Sequence, residues 1–241
     1  EESGDSSRTA KSLLMLGNVG AEGKSDYEKR ALNIWQELGD DLAVCTILNN
    51  MANTYVWQGN YESALDVYHQ SLDSGIKSGI SRSLIYPLRN IGHMHHIMGK
   101  YDEAIKYYHR SLDILKELEN KQAIRFRLFE IGKSHFFKNN YKEAFTNIDQ
   151  SISILEEDLN SYMALQKLEG YTLLYIIYKT LGKEFDINII YALFEEIEKS
   201  EEQTSYFNSI QKIELQLLLY KLLEDTSYLK TAYNQIQETV D

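Results

Sequence analysis

The chain has 241 residues, with 36 Asp and Glu against 25 Lys and Arg, a formal net charge of −11. This acidic balance disfavours nucleic acid as the main partner, because phosphate binding requires a basic surface. Hydrophobic residues make up 43% of the chain, enough for a packed core, and a single Pro favours nearly continuous helix, so the predicted fold class is all-α.

The start of the sequence is its least regular part. Residues 1–7 are polar and acidic and are predicted to form a disordered lead-in. Residues 8–38 are predicted to form a degenerate pair of helices around a Gly-rich loop. The second of these helices is expected to start at Ser25, because Glu28 three residues later completes a capping box, and to close at Gly39. Because the chain does not begin with Met, we expect it to be part of a longer protein.

A phrase of fifteen residues occurs three times at a constant offset of 40 residues. Its copies begin at Gly59, Gly99 and Asn139, and each follows a segment with apolar residues at helical spacing. A fixed period of about 20–50 residues is typical of stacked repeat proteins, and each unit here is a helix, a short turn and a second helix. Pro87 requires the first helix of the middle repeat to begin near Ser83, because proline is tolerated in the first helical turn. The clear repeats are predicted at 42–78, 82–118 and 121–156, and degenerate repeats at 160–200 and 203–241.

The copies share small and aromatic residues at fixed positions. In the first copy they are Ala52, the turn residue Gly59, the pair Tyr61 and Ala64, and the hydroxyl residue Ser71. This pattern resembles the tetratricopeptide repeat, in the longer variety of about 40 residues found in kinesin light chains, G-protein-signalling scaffolds and many bacterial signalling proteins. The resemblance implies a right-handed superhelical solenoid of antiparallel helix pairs, with about five to six repeats over residues 8–241.

The resemblance also implies that the first helix of each pair lines a concave groove that binds a partner. Asparagine donates and accepts hydrogen bonds at once, so a row of Asn can hold an extended peptide backbone without reading its side chains. Asn50, Asn53 and Asn90 are similar to such a row, which Glu130 interrupts in the third repeat. The alternative is that these residues only tie one helix to the next. The predicted partner-binding residues are Asn49, Asn50, Asn53, Tyr86, Arg89, Asn90, His93, Phe129, Lys133 and Phe136.

Other kinds of site find less support. His93 and His96 lie one helical turn apart, but no Cys or carboxylate nearby completes a metal site. The segment GAEGKS resembles the end of a phosphate-binding loop, but its first glycine is missing and no parallel sheet follows. No nucleophile and base can be paired by their spacing, so no enzyme activity, metal or cofactor is predicted. Another version of the family captures a terminal carboxylate, and its cations are missing from the matching positions Asn49, Asn53, Asn90, Phe126 and Glu130.

The single cysteine, Cys45, excludes an intrachain disulfide and is predicted to be a small buried hydrophobe on a helix. No apolar run approaches the ~20 residues that span a bilayer, and the chain shows no basic-then-apolar leader. These features predict a cytoplasmic protein without a membrane partner.

Charge is distributed unevenly along the chain. Residues 81–145 carry 12 Lys and Arg against 7 Asp and Glu, a net of +5, and residues 184–241 carry 4 Lys and Arg against 12 Asp and Glu, a net of −8. The positive middle segment is either an ordinary solvated helix surface or a surface that receives an acidic partner.

Two functions are consistent with the sequence. The first is a protein–protein or protein–peptide interaction module that binds its partner in the concave groove and belongs to a larger signalling or regulatory protein. The alternative is a peptide-sensing regulator in which a bound signalling peptide changes the superhelix.

Overall fold

The computed structural model describes residues 2–18, 24–156, 164–190, 192–193 and 217. Within these ranges all regular structure is helical, and no described residue lies in a β-strand. The chain divides into two compact units, Glu1–Asn120 and Lys121–Asp241. The first unit contains α1 (Glu2–Asn18), α2 (Lys24–Glu37), α3 (Asp41–Trp57), α4 (Tyr61–Lys77), a 3-10 turn (Ser81–Leu84), α5 (Ile85–Ile97) and α6 (Tyr101–Glu117). The second unit contains α7 (Lys121–Phe137), α8 (Tyr141–Glu156) and α9 (Ala164–Thr180) among its described residues.

Within each pair, the second helix packs back against the first. In the first unit α1 packs against α2, α3 against α4, and α5 against α6, while α7 packs against α8 in the second unit. Pro87 lies in the first turn of α5, which starts two residues after the expected position because the 3-10 turn precedes it. Pro87 therefore breaks no helical hydrogen bond.

The disordered lead-in predicted for residues 1–7 was wrong, because α1 begins at Glu2. Ala10 and Leu13 of α1 are buried in an apolar cluster with residues of α2 and α3. Once this half of the helix is packed, each further residue adds a backbone hydrogen bond, and the Thr9 hydroxyl adds one to a carbonyl a turn earlier. Packing thus extends a helix into a segment whose composition alone indicated disorder.

Several expectations fall outside the described part of the chain. The loop at 19–23 and the side chain of Ser25, and with it the capping box, belong to this group. So do residues 160–163, 191 and 194–200 of the repeat predicted at 160–200, and all but residue 217 of the one predicted at 203–241. The helix expected to start at Ser25 begins at Lys24.

A serine at the same position of α4, α6 and α8 ties each of these helices to the first helix of its pair. Each serine is buried, and its hydroxyl donates to a backbone carbonyl 26 residues earlier in the chain. A buried hydroxyl needs such a partner, so the repeated serine is a structural position. The bonds run from Ser71 to Cys45 (2.7 Å), from Ser111 to Ile85 (3.2 Å) and from Ser151 to Arg125 (3.0 Å).

The two helices of a pair approach most closely at small residues. A Cβ added to Gly92 of α5 would lie 3.2 Å from the carbonyl oxygen of Ala104 and 2.8 Å from the ring of Tyr108. In the second unit, a Cβ on Gly132 would lie 2.6 Å from Cγ1 of Ile148. Larger side chains at these positions would force the helices apart, so the small residues set the spacing within each pair.

From α2 to α8, the connections between helices recur every 20 residues, and each places one residue in the left-handed conformation. Four of these residues are glycines, for which this conformation costs nothing. Glu119 adopts it with φ +52°, where its Cβ crowds the following carbonyl. The series is Gly39, Gly59, Gly79, Gly99, Glu119 and Asn139.

Replacing Glu119 by Gly is expected to raise the free energy of unfolding by about 0.5–1 kcal/mol, because relief of the left-handed strain exceeds the freedom gained by the unfolded chain. Urea unfolding measures the change. Glu117→Gly is the matched control, since Glu117 ends α6 in helical geometry and glycine there should cost up to about 1 kcal/mol. A destabilised Glu119→Gly variant would show that Glu119 is not strained.

Three rings meet among α4, α5 and α6. His95 stacks on Tyr107 with ring centroids 5.5 Å apart, and His69 meets the same ring edge-on at 6.0 Å. Burial lowers the pKa of His95; Lys100 acts in the same direction, Glu103 opposes it, and His69 adds to the lowering. Protonation of His95 therefore favours the unfolded chain.

This lowered pKa predicts that stability falls with acidity. The unfolded chain takes up the imidazole proton near the ordinary pKa of about 6.5, before the folded protein does, so stability is lost as the pH falls through this value toward the lower folded pKa. Urea midpoints between about pH 7.5 and about pH 5.5 should decrease less in His95→Gln than in the unmodified chain. His109→Gln, on an exposed histidine of α6, is the control and should leave the slope unchanged.

Candidate functional site

A groove of about 630 Å³ lies in the first unit, at α3, the 3-10 turn and the start of α5. A cavity of this size is typical of sites that hold a ligand. We call it the α3–α5 groove. Its lining residues are Leu42, Cys45, Thr46, Asn49, Asn50, Asn53, Ile80, Arg82, Ser83, Tyr86, Pro87, Arg89 and Asn90.

Three of the predicted asparagines are held by hydrogen bonds within the protein. Asn90, only 9% exposed, donates from Nδ2 to Oδ1 of Asn49 at 2.9 Å, which ties α5 to α3. Asn53 accepts from the hydroxyl of Tyr68 on α4. These contacts are the helix ties that the sequence left open as an alternative. They also fix the orientation of the amides, each of which has further donor or acceptor capacity.

Among the predicted residues that line the groove, Asn50 and Tyr86 have side chains that the described part of the chain leaves exposed. Asn50 is exposed on α3, and the described residues form no hydrogen bond to its side chain. Tyr86 is 67% exposed at the start of α5. An aromatic ring in this position has a large area to bury against a partner, and its hydroxyl can form a hydrogen bond there.

Cys45 lines the groove but is almost completely buried, as predicted. Its Sγ lies 3.5 Å from the Ser71 hydroxyl and donates to the carbonyl of Ser83 at 3.6 Å. Burial raises the pKa of the Cys45 thiol, and the hydrogen bonds with Ser71 and Ser83 act in the opposite direction. A thiol kept protonated is a poor nucleophile, so Cys45 contributes packing rather than reactivity.

Arginines supply the formal charge of the groove lining. Arg82 is exposed on the 3-10 turn and Arg89 is half-buried on α5, and none of the lining residues is an Asp or Glu. Burial raises the pKa of Tyr68 to about 12, and the positive charge of Arg89 acts in the opposite direction. The charge of Arg89 therefore reaches the hydrogen bond between Tyr68 and Asn53. The groove is positive in a chain whose formal net charge is −11.

The other predicted residues lie elsewhere. His93 is exposed on α5 but does not line the groove. In the second unit, Nζ of Lys133 lies 2.8 Å from Oε1 of Glu169 on α9, so its charge is already paired, and it sits 5.9 Å from the ring centre of the half-buried Phe129. Phe136 was predicted to face a groove, but it is 6% exposed in the apolar core of this unit, because burying a large ring is strongly favourable.

Sequence reasoning missed Ile80 and Arg82, which line the groove from the connection between α4 and α5. The prediction considered only the first helix of each pair. A signal for the connection was nevertheless present, because Pro87 requires a late start of α5 and leaves the preceding residues outside that helix.

The part of the chain that the structure describes shows no metal site and no membrane-spanning helix. No group of three or more His, Cys, Asp and Glu side chains in these ranges could hold a metal ion. The helices there are also too short or too polar to cross a bilayer.

The helix pairs and their 40-residue offset define a helical repeat protein. Models of the tetratricopeptide repeat match residues 44–77 and residues 84–157, which span α3 to α4 and α5 to α8. The chain therefore contains tetratricopeptide repeats over these residues. Among curated proteins, no sequence matches it.

Solved structures share this solenoid fold at low sequence identity. A Rap protein complexed with competence and sporulation factor matches with a TM-score of 0.69 and 16% identity, over 99% of this chain and 64% of that one. The apo quorum sensor NprR from B. thuringiensis matches with a TM-score of 0.63 and 19% identity, over 93% of this chain and 63% of that one. A Podospora anserina protein named for the kinesin light chains, with nearly identical TPR-like repeats, matches with a TM-score of 0.59 and 14% identity, over 84% of this chain and 99% of that one. This chain thus spans less than two thirds of the Rap and NprR proteins.

The bond between Asn49 and Asn90 predicts that the two residues are coupled in stability. Asn90→Ala should lower the free energy of unfolding by about 1–2 kcal/mol, because Asn90 is buried and Asn49 loses its donor. The double variant with Asn49→Ala should cost less than the sum of the two single changes. Urea unfolding of the four proteins measures the coupling. Asn50→Ala is the control, expected within about 0.5 kcal/mol of the unmodified chain, and strict additivity would contradict the tie.

Proposed function

We propose that this chain binds an extended segment of a partner protein, or a peptide, in the α3–α5 groove. The observation that carries the proposal is the combination of amides held in place by the protein's own hydrogen bonds with groove residues left open to solvent. Asn49 and Asn53 belong to the first kind, and Asn50 and Tyr86 to the second.

The held amides suit a peptide backbone. An extended chain presents N–H and C=O groups in alternation, and an asparagine amide can donate to one and accept from the other. The bonds of Asn49 to Asn90 and of Asn53 to Tyr68 restrict the rotamers of these side chains before a partner arrives. Less conformational entropy is then lost on binding, which strengthens the interaction.

The exposed residues supply affinity. Tyr86 offers a ring that is 67% exposed, and the neighbouring Leu42 and Ile80 are exposed apolar side chains that also line the groove. Burial of aromatic rings at the centre of an interface commonly accounts for much of the binding free energy. We therefore assign the groove to binding rather than to catalysis, and the protonated Cys45 gives no reason to assign it otherwise.

A peptide-sensing regulator is the second candidate. The fold similarity to a Rap protein complexed with competence and sporulation factor, and to the quorum sensor NprR, favours it. This chain spans less than two thirds of those proteins. The same proposal therefore includes that this chain belongs to a larger signalling or regulatory protein. The two candidates share the groove and differ in whether occupation changes the arrangement of the repeats.

Selection from a library of short peptides, followed by calorimetry on the selected sequences, tests groove binding. Tyr86→Ala should weaken the selected peptides about tenfold or more, and Asn50→Ala by a smaller factor, because both side chains are exposed in the groove. Gln70→Ala, on an exposed residue of α4 outside the groove, is the control for Asn50→Ala. Small-angle scattering with and without peptide separates the candidates, since a sensing regulator should change its scattering curve.

Trp57→Ala is the matched control for Tyr86→Ala. Trp57 is the most exposed large hydrophobic residue among those described, and it does not line the groove. Loss of binding in Trp57→Ala with retention in Tyr86→Ala would place the partner on another surface and refute the proposal. Unchanged affinity in both groove variants would refute it as well.

A further inference from the structure

We infer that the segment bound in the α3–α5 groove is acidic, with carboxylate side chains next to apolar or aromatic ones. This inference rests on the proposed function, because it names the chemistry of the partner for the same groove. The positive charge of residues 81–145 left open a surface that receives an acidic partner, and the inference locates that surface at this groove.

The first argument is the charge of the lining. Arg82 and Arg89 line the groove, and no Asp or Glu lines it. Across the whole chain acidic residues outnumber basic ones by 36 to 25. A groove lined by two cations and no anion therefore has the opposite sign of charge to the chain as a whole. A cleft lined by one sign of charge concentrates ligands of the opposite sign.

The second argument is the kind of cation. The guanidinium group presents a planar fork of donors that matches the two oxygens of a carboxylate, whereas lysine is a flexible point charge. Arg82 is exposed at the rim, and no ion pair to it is found among the described residues. Arg89 is half-buried in the groove lining, and its charge acts on the hydroxyl of Tyr68, which is buried beside the groove residue Asn53. A carboxylate near Arg89 would be partly shielded from water, which strengthens its attraction to the guanidinium.

The third argument is what surrounds the arginines. Leu42, Ile80 and Tyr86 line the same groove and are exposed. A ligand that satisfied only the charges would leave these apolar side chains in water. A segment that alternates acidic and apolar residues can pair with the arginines and bury the apolar surface at once.

A protein segment fits this surface better than nucleic acid does. Two arginines neutralise few phosphates, and the chain as a whole repels a polyanion at a formal charge of −11. The asparagine amides of the groove suit peptide groups, as proposed above.

Three short peptides of matched length test the inference, with both ends blocked so that the termini carry no charge. The first alternates Asp and Glu with Leu and Tyr. The second replaces Asp and Glu by Asn and Gln, and the third replaces them by Lys. The acidic peptide should bind at least about tenfold more tightly than the neutral one, and its affinity should fall between about 0.1 M and about 1 M salt, where charges are screened. The basic peptide should bind most weakly.

Arg82→Gln should weaken the acidic peptide by roughly twofold to tenfold and leave the neutral peptide unchanged, because the lost contribution is the charge of a partly exposed pair. Lys106→Gln is the matched control, since it removes the same charge from an exposed position of α6 outside the groove. Thermal unfolding of both variants checks that the fold is retained. Arg89→Gln should show the same selectivity as Arg82→Gln.

The outcomes separate this inference from the proposed function. If the neutral and acidic peptides bind equally and both require Tyr86, the groove binds peptides but the acidic preference is wrong. If no peptide binds in a way that requires Tyr86 or Asn50, both ideas fail together. Competition by a single-stranded oligonucleotide, or self-association of the free chain that Arg82→Gln abolishes, would assign the groove to nucleic acid or to a second copy and would overturn the inference.

Discussion

The close approach of the two helices in each pair is the constraint on which the rest of the structure depends. At Gly92 there is no room for a side chain, because a Cβ would lie 3.2 Å from the carbonyl oxygen of Ala104. The hydroxyl of Ser111 bonds the same two helices through the carbonyl of Ile85. A glycine without a side chain and one buried hydrogen bond set the spacing of these helices. Residues such as Tyr86 are therefore not needed to hold the pair together and remain exposed.

The α3–α5 groove shows how one set of contacts serves both folding and binding. Asn90 is buried and bonded to Asn49, so it is a structural residue, yet the same bond holds the Asn49 amide in a fixed orientation beside the exposed Asn50. A binding site that is ordered by its own protein loses less entropy when a partner arrives. The structural and functional interpretations of the asparagines are therefore compatible.

The sequence was sufficient for the parts of the fold that repeat. The 40-residue offset predicted α3 to α8 closely, because each copy carries the same small and aromatic positions. The prediction from composition failed for α1, because packing of Ala10 and Leu13 outweighs the polar composition of residues 1–7. Within the site, periodicity placed Phe136 on the wrong side of α7, because counting along a helix does not reveal which face a neighbouring helix covers. Arg82 was missed because it lies on the 3-10 turn before α5, whereas the prediction considered only the first helix of each pair.

The constant sequence separation of the residues joined by the serine bonds has a consequence for how the chain is assembled. Every bond joins residues 26 positions apart, so the loop that must close is equally short in each pair. Contacts of such short range form quickly, and each hairpin can close as soon as its second helix has been synthesised, without waiting for later sequence. The same locality makes the helix pair the natural unit in which such a protein is lengthened, shortened or recombined.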